Sequence, residues 1–338
     1  MKTVVEQYNL RNQNTFGINA FCDYWIEFTE AEDIPNVMAT LPAPKYRCIG
    51  QGSNMLFVND FRGALLHSRI LDMEMSTDDN DVLIRIGSGI SFDEVVERTC
   101  MAGLWGVENL SGIPGDAGAA AVQNIGAYGV EIKDVIEKVE AYDAVLHKFV
   151  EFSNSECAYD YRYSLFKSPE NIGRYIISHI TIRVSSLGSP RLDYGNLRNK
   201  FDGVAEITPM DVRKCVLDTR DAKLPNPLKI GSAGSFFKNP IVDPEVYRRI
   251  ANNYPECNVP HYQHNDKIKI PAAWLIEQCG WKGKQMGNAG VWHLQPLVLI
   301  NATGLATGKE IESLEQAIIQ DVKQKFDITL HPEADHIY

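Results

Sequence analysis

The fold is decided by two glycine-rich stretches, Gly50-Gln51-Gly52-Ser53-Asn54 and Ser111-Gly112-Ile113-Pro114-Gly115-Asp116-Ala117-Gly118-Ala119-Ala120. Each stretch follows a predicted strand. Glycine permits positive φ and leaves consecutive N–H groups unobstructed, so such loops can bind a diphosphate through the backbone alone. The second loop leads into a predicted helix whose first N–H groups we expect to be unpaired. One such loop is more often only a turn, but two together favour a long ligand with a central diphosphate.

Other nucleotide-binding signatures fail in this sequence. Gly87-Ser88-Gly89 lies between a predicted strand and helix, but Phe92 occupies the third glycine position of a dinucleotide fingerprint and would block close helix packing. Gly308-Lys309 resembles the end of a P-loop, but Glu310 replaces the hydroxyl residue, so we predict a helix start. Asp116 counts against phosphate at the second loop, because a carboxylate repels an anion unless it turns away to cap the helix.

Composition indicates a globular chain of two or three domains, since its 338 residues are 44% apolar and 23% charged. The net charge of −11 argues against nucleic acid or an anionic membrane as the main partner. The seven cysteines are scattered without a C-x-x-C, so we predict reduced, buried thiols. The N-terminus lacks the apolar run of a signal peptide, and no stretch is long enough to span a membrane, so we expect a soluble, cytoplasmic protein.

Hydrophobic patterning predicts strands and helices at short spacing. We predict strands over 18–28, 46–49, 82–86 and 175–184, and a hairpin over 135–142 and 148–152. Helix starts are predicted at two capping boxes and two N-cap-proline pairs, namely Thr29 with Glu32, Ser91 with Glu94, Thr208-Pro209 and Asp243-Pro244. Core positions recur at helical spacing at Ile311, Leu314, Ile318 and Val322. Residues 185–190 are the best linker by composition.

The C-terminal half carries a different constellation around Ser235, which lies between a flexible turn and two aromatic residues. Phe237 occupies the second glycine position of a serine-hydrolase elbow, so hydrolase chemistry is disfavoured. Arg220 and Lys223 suit either a solvated surface or a phosphate clamp, and the sequence does not decide between them. His261 and His264 lack further ligands at suitable spacing, so we predict no metal site.

Seven ordered segments resemble the MurB family, the UDP-N-acetylenolpyruvoylglucosamine reductases of bacterial cell-wall synthesis. They are Asn14-Thr15-Phe16-Gly17, Gly50-Gln51-Gly52-Ser53-Asn54, Ile113-Pro114-Gly115, Gln123-Asn124-Ile125-Gly126-Ala127-Tyr128-Gly129, Tyr161-Arg162-Tyr163-Ser164-Leu165-Phe166-Lys167, Gly234-Ser235-Phe236-Phe237-Lys238-Asn239-Pro240 and His331-Pro332-Glu333. The resemblance implies the α+β class, with a vanillyl-alcohol-oxidase-like FAD-binding fold of two lobes and a C-terminal α/β substrate-binding domain. We place the lobes at 1–70 and 71–204 and the substrate-binding domain at 205–338.

The resemblance also implies site residues by position. Ser235 matches the proton donor, and Arg162 and Glu333 match the pair that polarises the substrate carboxylate. The implied FAD contacts are Gly50, Gln51, Gly52, Ser53, Asn54, Met55, Gly112, Ile113, Pro114, Gly115, Ala119, Asn124, Gly126 and Ala127. The implied substrate contacts are Tyr128, Lys223, Asn239, Gln295 and Tyr194, the last matching the substrate-covering tyrosine of the longer class.

The implied reaction uses FAD and NADPH in peptidoglycan precursor synthesis. NADPH reduces the flavin, leaves, and is replaced by UDP-N-acetylglucosamine enolpyruvate, which is reduced to UDP-N-acetylmuramate. The implied partners are therefore small molecules, with no nucleic acid and no membrane, and we expect a monomer. Asp335 stands where some family members have a cation, so we assign it no substrate contact. Another FAD oxidoreductase acting on an alcohol or sugar, and a sugar-nucleotide binding protein without flavin, stay open as alternatives.

Overall fold

A computed structural model describes residues 1–195 and 197–338. The chain forms two compact units, each assembled from three segments. The first unit comprises Met1–Tyr8, Cys22–Gln51 and Arg62–Ala222, and the second comprises Asn9–Phe21, Gly52–Phe61 and Lys223–Tyr338. The first glycine-rich loop is therefore divided between the units after Gln51.

Strands and helices are numbered in chain order. The strands are β1 Lys2–Asn9, β2 Phe21–Phe28, β3 Tyr46–Ile49, β4 Met55–Phe57, β5 Phe61–Ser68, β6 Met73–Asp78, β7 Asp81–Gly87, β8 Gly126–Ala127, β9 Val130–Glu131, β10 Ile136–Asp143, β11 Lys148–Ser153, β12 Tyr175–Ser185, β13 Gly231–Ser235, β14 Ile241–Val242, β15 Tyr262–His264, β16 Lys267–Lys269, β17 Gln285–Met286, β18 Ala289–Val291, β19 Val298–Asn301 and β20 Asp335–Ile337. The helices are α1 Asp33–Ala39, α2 Phe92–Met101, α3 Ala117–Gln123, α4 Pro209–Asp221, α5 Pro244–Asn253, α6 Ala272–Gln278 and α7 Gly308–Phe326.

The first unit is built on two larger sheets. One has the order β1-β2-β5-β3, in which β3 and β5 run parallel, and α1 packs its Ile34 and Val37 against it. The other has the antiparallel order β11-β10-β12-β7-β6. The α2 side chains of Phe92, Val95 and Val96 share one buried cluster with the central strands of this sheet. Burial of these apolar faces fixes the positions of the loops that follow β3 and α2.

The second unit contains the antiparallel sheet β13-β19-β18-β17 and the smaller sheet β14-β16-β15. Helix α7 begins with a capping box in which Thr307 Oγ1 accepts from the Glu310 N–H. Its buried residues include the four that recur at helical spacing, Ile311, Leu314, Ile318 and Val322. The last strand, β20, pairs in parallel with β4, so the C-terminus is joined to an early segment of the chain.

Several local predictions are confirmed, and some are wrong. The predicted strands, the hairpin and the helix starts at Thr208-Pro209, Asp243-Pro244 and Gly308 are confirmed. The Thr29 capping box is wrong, because Asp33 instead accepts from the Thr29 and Glu30 N–H groups. The Ser91 side chain makes no cap, since Ser91 pairs through its backbone with Asp116. Residues 185–190 are not a linker between units, because they lie within the first unit.

The cysteines are all free, as predicted, but not all are buried. Cys22, Cys100 and Cys157 are buried, Cys48, Cys215 and Cys279 are half-buried, and Cys257 is exposed. No helix in the described part of the chain is both long and apolar enough to span a bilayer.

Candidate active site

In the first unit, Gln51 joins the two glycine-rich loops. Its Nε2 donates to Asp116 Oδ1 at 2.8 Å, and its Oε1 accepts from the Gly115 N–H at 3.2 Å. A Cβ atom on Gly50 would lie 2.9 Å from Asp116 Oδ2 and 3.4 Å from the Ala119 Cβ. The absence of a side chain at Gly50 therefore allows this close approach, and the structure brings together four predicted FAD contacts.

Asp116 does not turn away to cap α3, as the sequence argument required. Its side chain makes no cap hydrogen bond and instead accepts from Gln51. The residue is only 5% exposed. Burial raises the pKa of the Asp116 carboxyl from 3.8 to about 6, although the Gln51 hydrogen bond and the charge of Arg69 act in the opposite direction. The glycine-rich loops thus enclose a poorly solvated acid.

The N–H groups that begin α3 are already paired. The Ala117 N–H donates to the Ile90 carbonyl at 2.8 Å, and the Gly118 N–H donates to the Ser88 carbonyl at 3.0 Å. A Cβ atom on Gly118 would lie 2.8 Å from the Ser88 Cβ. The expectation of unpaired donors is wrong for these two groups, because the start of α3 packs against the turn that precedes α2.

The rest of this loop is held by α2 and by its own turns. The Gly112 N–H donates to Asp93 Oδ1 at 2.6 Å, and Gly112 has a φ of +72°. The Ile113 N–H donates to the Leu110 carbonyl at 3.4 Å. Ile113 is half-buried and Pro114 is exposed, so the loop presents Pro114 at its surface.

Arg162 lies in the first unit, in a network that also contains Asn124 and Gly126. Its Nη2 donates to the Gly126 carbonyl at 2.6 Å, and its Nη1 lies 3.9 Å from Glu131 Oε1. Asn124 donates to Glu131 Oε2 at 3.1 Å and to the Asp160 carbonyl at 2.8 Å. The Asn124 side chain, a predicted FAD contact, therefore helps to position Glu131, the carboxylate near the Arg162 guanidinium. Ala127 is in β8, paired with β9.

Two predicted substrate contacts meet in the same unit. The rings of Tyr128 and Tyr194 pack edge to face, with centroids 6.1 Å apart. Asn109 fixes the backbone there by donating to the Tyr128 carbonyl at 2.9 Å. Burial raises the pKa of Tyr128, so its hydroxyl stays protonated at neutral pH. Tyr194 is 48% exposed and therefore remains accessible.

In the second unit, Ser235 ends β13 just after an irregularity in the strand. The pairing of β13 with β19 shifts between Ser232 and Ser235, and Gly234 there has a φ of +67°. A bulge of this kind redirects the following side chain. Ser235 is exposed, whereas the Phe236 and Phe237 that follow are buried. The structure thus presents the hydroxyl to solvent on a strand anchored by two aromatic side chains.

Glu333 lies on the segment beside Ser235. The Glu333 N–H donates to the Phe236 carbonyl at 2.7 Å, and the Lys238 N–H donates to the His331 carbonyl at 2.9 Å. The structure therefore brings together two of the three predicted catalytic residues in the second unit.

The residues Gly52 to Met55 support this segment. Asn54 Nδ2 donates to the Glu333 carbonyl at 3.1 Å, and the Asn54 carbonyl accepts from the Asp335 N–H at 2.9 Å. Met55 pairs with Asp335 in the β4–β20 ladder. Gly52 has a φ of +61°, and a Cβ atom there would lie 2.2 Å from the Gln13 carbonyl oxygen. Ser53 lies between these anchored residues.

The remaining predicted substrate contacts also lie in the second unit. The Lys223 carbonyl accepts from Trp292 Nε1 at 3.0 Å. Asn239 Oδ1 accepts from the Ala272 N–H at 2.9 Å, at the start of α6. Gln295 forms the turn before β19, where its carbonyl accepts from the Val298 N–H at 3.0 Å. No group of three His, Cys, Asp or Glu side chains suited to a metal occurs among the residues described.

Sequence reasoning missed the pair that anchors the C-terminal strand. His336 Nε2 lies 2.6 Å from Glu315 Oε2, with side chains 14% and 2% exposed. The Glu315 hydrogen bond raises the pKa of His336, and the histidine ring also packs edge to face with Phe236. Nothing local signals this contact, because the partners are 21 residues apart.

Comparisons with known proteins agree with this architecture. Residues 226–337 match the C-terminal domain of UDP-N-acetylenolpyruvoylglucosamine reductase, and residues 23–145 match an FAD-binding domain. The crystal structure of MurB from Thermus caldophilus covers 100% of both chains at 20% identity, with a TM-score of 0.67. The predicted fold class, an FAD-binding fold with a further C-terminal domain, is thereby confirmed.

Two bacterial proteins named UDP-N-acetylenolpyruvoylglucosamine reductase extend the similarity over nearly the whole chain. The protein of Bacteroides fragilis strain YCH46 is 40% identical over 336 residues, covering 98% of this chain and 99% of its own. That of Porphyromonas gingivalis strain ATCC 33277 is 42% identical over 338 residues, covering 98% of each. With the two matched domains and the pairing of the Ser235 and Glu333 segments, these similarities show that the chain belongs to the MurB family of UDP-N-acetylenolpyruvoylglucosamine reductases.

Proposed function

We propose that this protein reduces UDP-N-acetylglucosamine enolpyruvate to UDP-N-acetylmuramate, with bound FAD and with NADPH as reductant. The single observation that carries the proposal is the 2.7 Å hydrogen bond from the Glu333 N–H to the Phe236 carbonyl, because it pairs the segment that carries Glu333 with the segment that carries Ser235. The net reaction adds a hydride to the enol-ether methylene carbon and a proton to the neighbouring carbon, while NADPH is oxidised to NADP⁺.

The glycine-rich loops fit an FAD-binding role. Gly50 lies so close to the second loop that a Cβ atom on it would be 2.9 Å from Asp116 Oδ2, and Gln51 accepts a hydrogen bond from the Gly115 N–H, so the two loops form one surface. FAD held by these loops would supply the hydride-transfer chemistry that links NADPH to the substrate. The chain's own groups must bind the cofactor and the sugar nucleotide, orient them and supply the proton.

Arg162 is suited to the substrate carboxylate. A guanidinium is always charged and offers a planar set of donors, so it can stabilise negative charge that develops on a carboxylate. The Gly126 carbonyl restrains Arg162 through the 2.6 Å hydrogen bond, while Glu131 lies at the edge of contact at 3.9 Å. The hydrogen bond to the Gly126 carbonyl restrains the orientation of the guanidinium.

Ser235 supplies the proton to the carbon beside the carboxylate. Its exposure at the end of β13 makes the hydroxyl accessible, and the buried Phe236 fixes the backbone behind it. An alcohol is a weak acid, so proton transfer needs nearby positive charge. Lys238, three residues away, is the candidate for that charge. Glu333 on the adjacent segment polarises the substrate carboxylate together with Arg162.

The wider assignment follows from the same proposal. We assign FAD binding to lobes 1–70 and 71–204 and substrate binding to 205–338. The enzyme acts as a monomer in the cytoplasm, in peptidoglycan precursor synthesis, and needs no nucleic acid or membrane partner. This is consistent with the net charge of −11, which disfavours both anionic partners.

The test is an anaerobic stopped-flow comparison of wild type with Ser235→Ala. NADPH should reduce the flavin of both proteins at similar rates, because Ser235 acts only in the second half-reaction. Reoxidation by the enolpyruvyl sugar nucleotide should be at least about a hundredfold slower in the variant. Ser232→Ala, on the same strand but with a buried side chain, is the matched control and should behave as wild type.

Equal slowing of both half-reactions by Ser235→Ala would contradict the role of proton donor. A wild-type flavin that is reduced by NADPH but not reoxidised by the sugar nucleotide would favour an oxidoreductase acting on an alcohol or sugar. A colourless protein that binds no flavin would favour the binding protein.

A further inference from the structure

Helix α4 carries two arginines on one face. Arg213 and Arg220 are seven residues apart, which is close to two helical turns, so their side chains leave the helix in similar directions. Both lie near Asp93 of α2, whose charge acts to raise the pKa of each guanidinium, although for Arg220 burial outweighs it and the pKa is lowered. The two side chains nevertheless have different partners.

Arg213 is fully paired. Its Nη1 donates to Asp93 Oδ1 at 2.5 Å and its Nη2 donates to Asp93 Oδ2 at 3.0 Å. Glu97 adds a second carboxylate at 3.6 Å, and the Arg213 side chain is only 6% exposed. This bidentate pair accounts for Arg213 as a structural contact between α2 and α4.

Arg220 lies against the second glycine-rich loop. A Cβ atom on Gly112 would be 3.0 Å from Arg220 Nε and 3.3 Å from its Cδ, so the lack of a side chain at Gly112 admits the arginine. Burial raises the pKa of Tyr128 and the charge of Arg220 opposes that rise, which places the guanidinium near a predicted substrate contact. Burial lowers the pKa of Arg220 itself.

Within residues 1–195 and 197–338, the Arg220 guanidinium makes no ion pair and no side-chain hydrogen bond, and the carboxylates of Asp93 and Asp221 act on it only from beyond ion-pair distance. Removing an ion from water without a counter-charge is costly. Arg213, seven residues earlier, avoids that cost through Asp93. We propose that a phosphate group of a diphosphate ligand supplies the counter-charge for Arg220.

Phosphate is favoured for three reasons. A guanidinium can bind phosphate through two parallel hydrogen bonds. The neighbouring loop contains Gly112, and two N–H groups at the start of α3 are already used, so the loop cannot rely on them to neutralise an anion. Finally, every ligand of the proposed reaction carries a diphosphate. The assignment rests on the proposed function, and the source is FAD, the sugar nucleotide or NADPH.

The test replaces Arg220 with methionine and with lysine and measures binding rather than turnover. Flavin-free protein is titrated with FAD by fluorescence, and the FAD-loaded enzyme is titrated with UDP-N-acetylglucosamine and with NADP⁺ by calorimetry. Arg220→Met should weaken the binding of the ligand whose diphosphate contacts Arg220 by about tenfold to a hundredfold. Arg220→Lys should lose less, because it keeps a point charge.

The ligand whose affinity falls in Arg220→Met is the one whose phosphate contacts Arg220. Arg98→Met is the control, since Arg98 is an exposed residue of α2 that forms an ion pair with Glu94 and contacts the Met73 sulfur, and the affinities of this variant should match wild type. Changes of less than twofold for all three probes with Arg220→Met would overturn the proposal. Turnover of the enolpyruvyl sugar nucleotide by the wild-type enzyme tests the proposed function separately. If wild type shows no turnover, the effect of Arg220→Met on ligand binding can still be measured.

Discussion

Asp116→Asn should make the protein more resistant to unfolding at neutral pH, and the gain should grow as pH rises. Burial raises the pKa of the folded carboxyl to about 6, against an ordinary value of 3.8. Between these values the folded state holds a proton that the unfolded state releases, so wild-type stability falls with rising pH. Asparagine has no such proton, and its Oδ1 can still accept from Gln51 Nε2.

The magnitude follows from the two pKa values. One pKa unit corresponds to about 1.4 kcal/mol, so full ionisation of Asp116 costs about 3 kcal/mol. At pH 5 about half of this cost is present, and by pH 8 it is complete, so the variant should gain about 1.4 kcal/mol on wild type between them. Urea unfolding at both values measures this difference. Any effect of the asparagine side chain on stability that does not depend on pH cancels when the two pH values are compared.

The control is Asp202→Asn, which removes an exposed carboxylate of the same unit. Its free energy of unfolding should stay within about 0.5 kcal/mol of wild type at both pH values, as expected for a substitution at the surface. The reasoning is refuted if wild type and Asp116→Asn lose stability in parallel between pH 5 and pH 8, because the buried carboxyl would then titrate as an ordinary one.

Two further predictions concern the second unit. Glu315→Gln should destabilise the protein by about 3 kcal/mol at pH 5.5, since it removes the buried carboxylate that pairs with a charged, half-buried His336. Because the pKa of His336 is raised in the folded state, the stabilisation from this pair is complete below the ordinary histidine pKa of 6.5 and is lost as pH rises through the folded pKa. Urea unfolding should therefore show a much smaller loss of stability for Glu315→Gln at pH 9 than at pH 5.5. An equal loss at both pH values would contradict the pairing. Gly52→Ala should lower the free energy of unfolding clearly more than Gly103→Ala. Both glycines have positive φ, but only a Cβ atom on Gly52 would clash with the backbone, at 2.2 Å from the Gln13 carbonyl oxygen. Thermal unfolding of the two variants measures this difference, and we expect Gly103→Ala to lose about 1 kcal/mol of stability. Equal losses of stability in both variants would contradict the clash at Gly52.

The elements that the sequence predicted well are those whose signal is local. The apolar stripe of α7 lies within a single helix, and its four core residues are buried as predicted. The hairpin of β10 and β11 likewise joins neighbouring segments. The capping boxes at Thr29 and Ser91 failed because backbone and side-chain partners from other residues compete for the same groups.

The unit boundaries and the site contacts depend on distant parts of the chain. The membership of 9–21 and 52–61 in the second unit is not visible in composition, because it arises from contacts such as the β4–β20 pairing. Neither Gln51 nor Asn54 has a sequence pattern that specifies the carboxyl or carbonyl group it binds. Family resemblance supplied Ser235 and Glu333, and the structure brings their segments together. The roles assigned to these residues stay predictions.

The glycine-rich loops are explained by packing before any ligand is considered. Gly50 and Gly118 admit close backbone contacts, and the first N–H groups of α3 donate to carbonyls of the same unit. A loop built in this way has fewer free donors for an anion than its sequence suggests, and Asp116 adds an opposing charge above a pH of about 6. Binding of a diphosphate there therefore needs a cation from another element. Arg220 lies beside Gly112 on α4, so the helix that follows the loops, rather than the loops alone, supplies the missing charge.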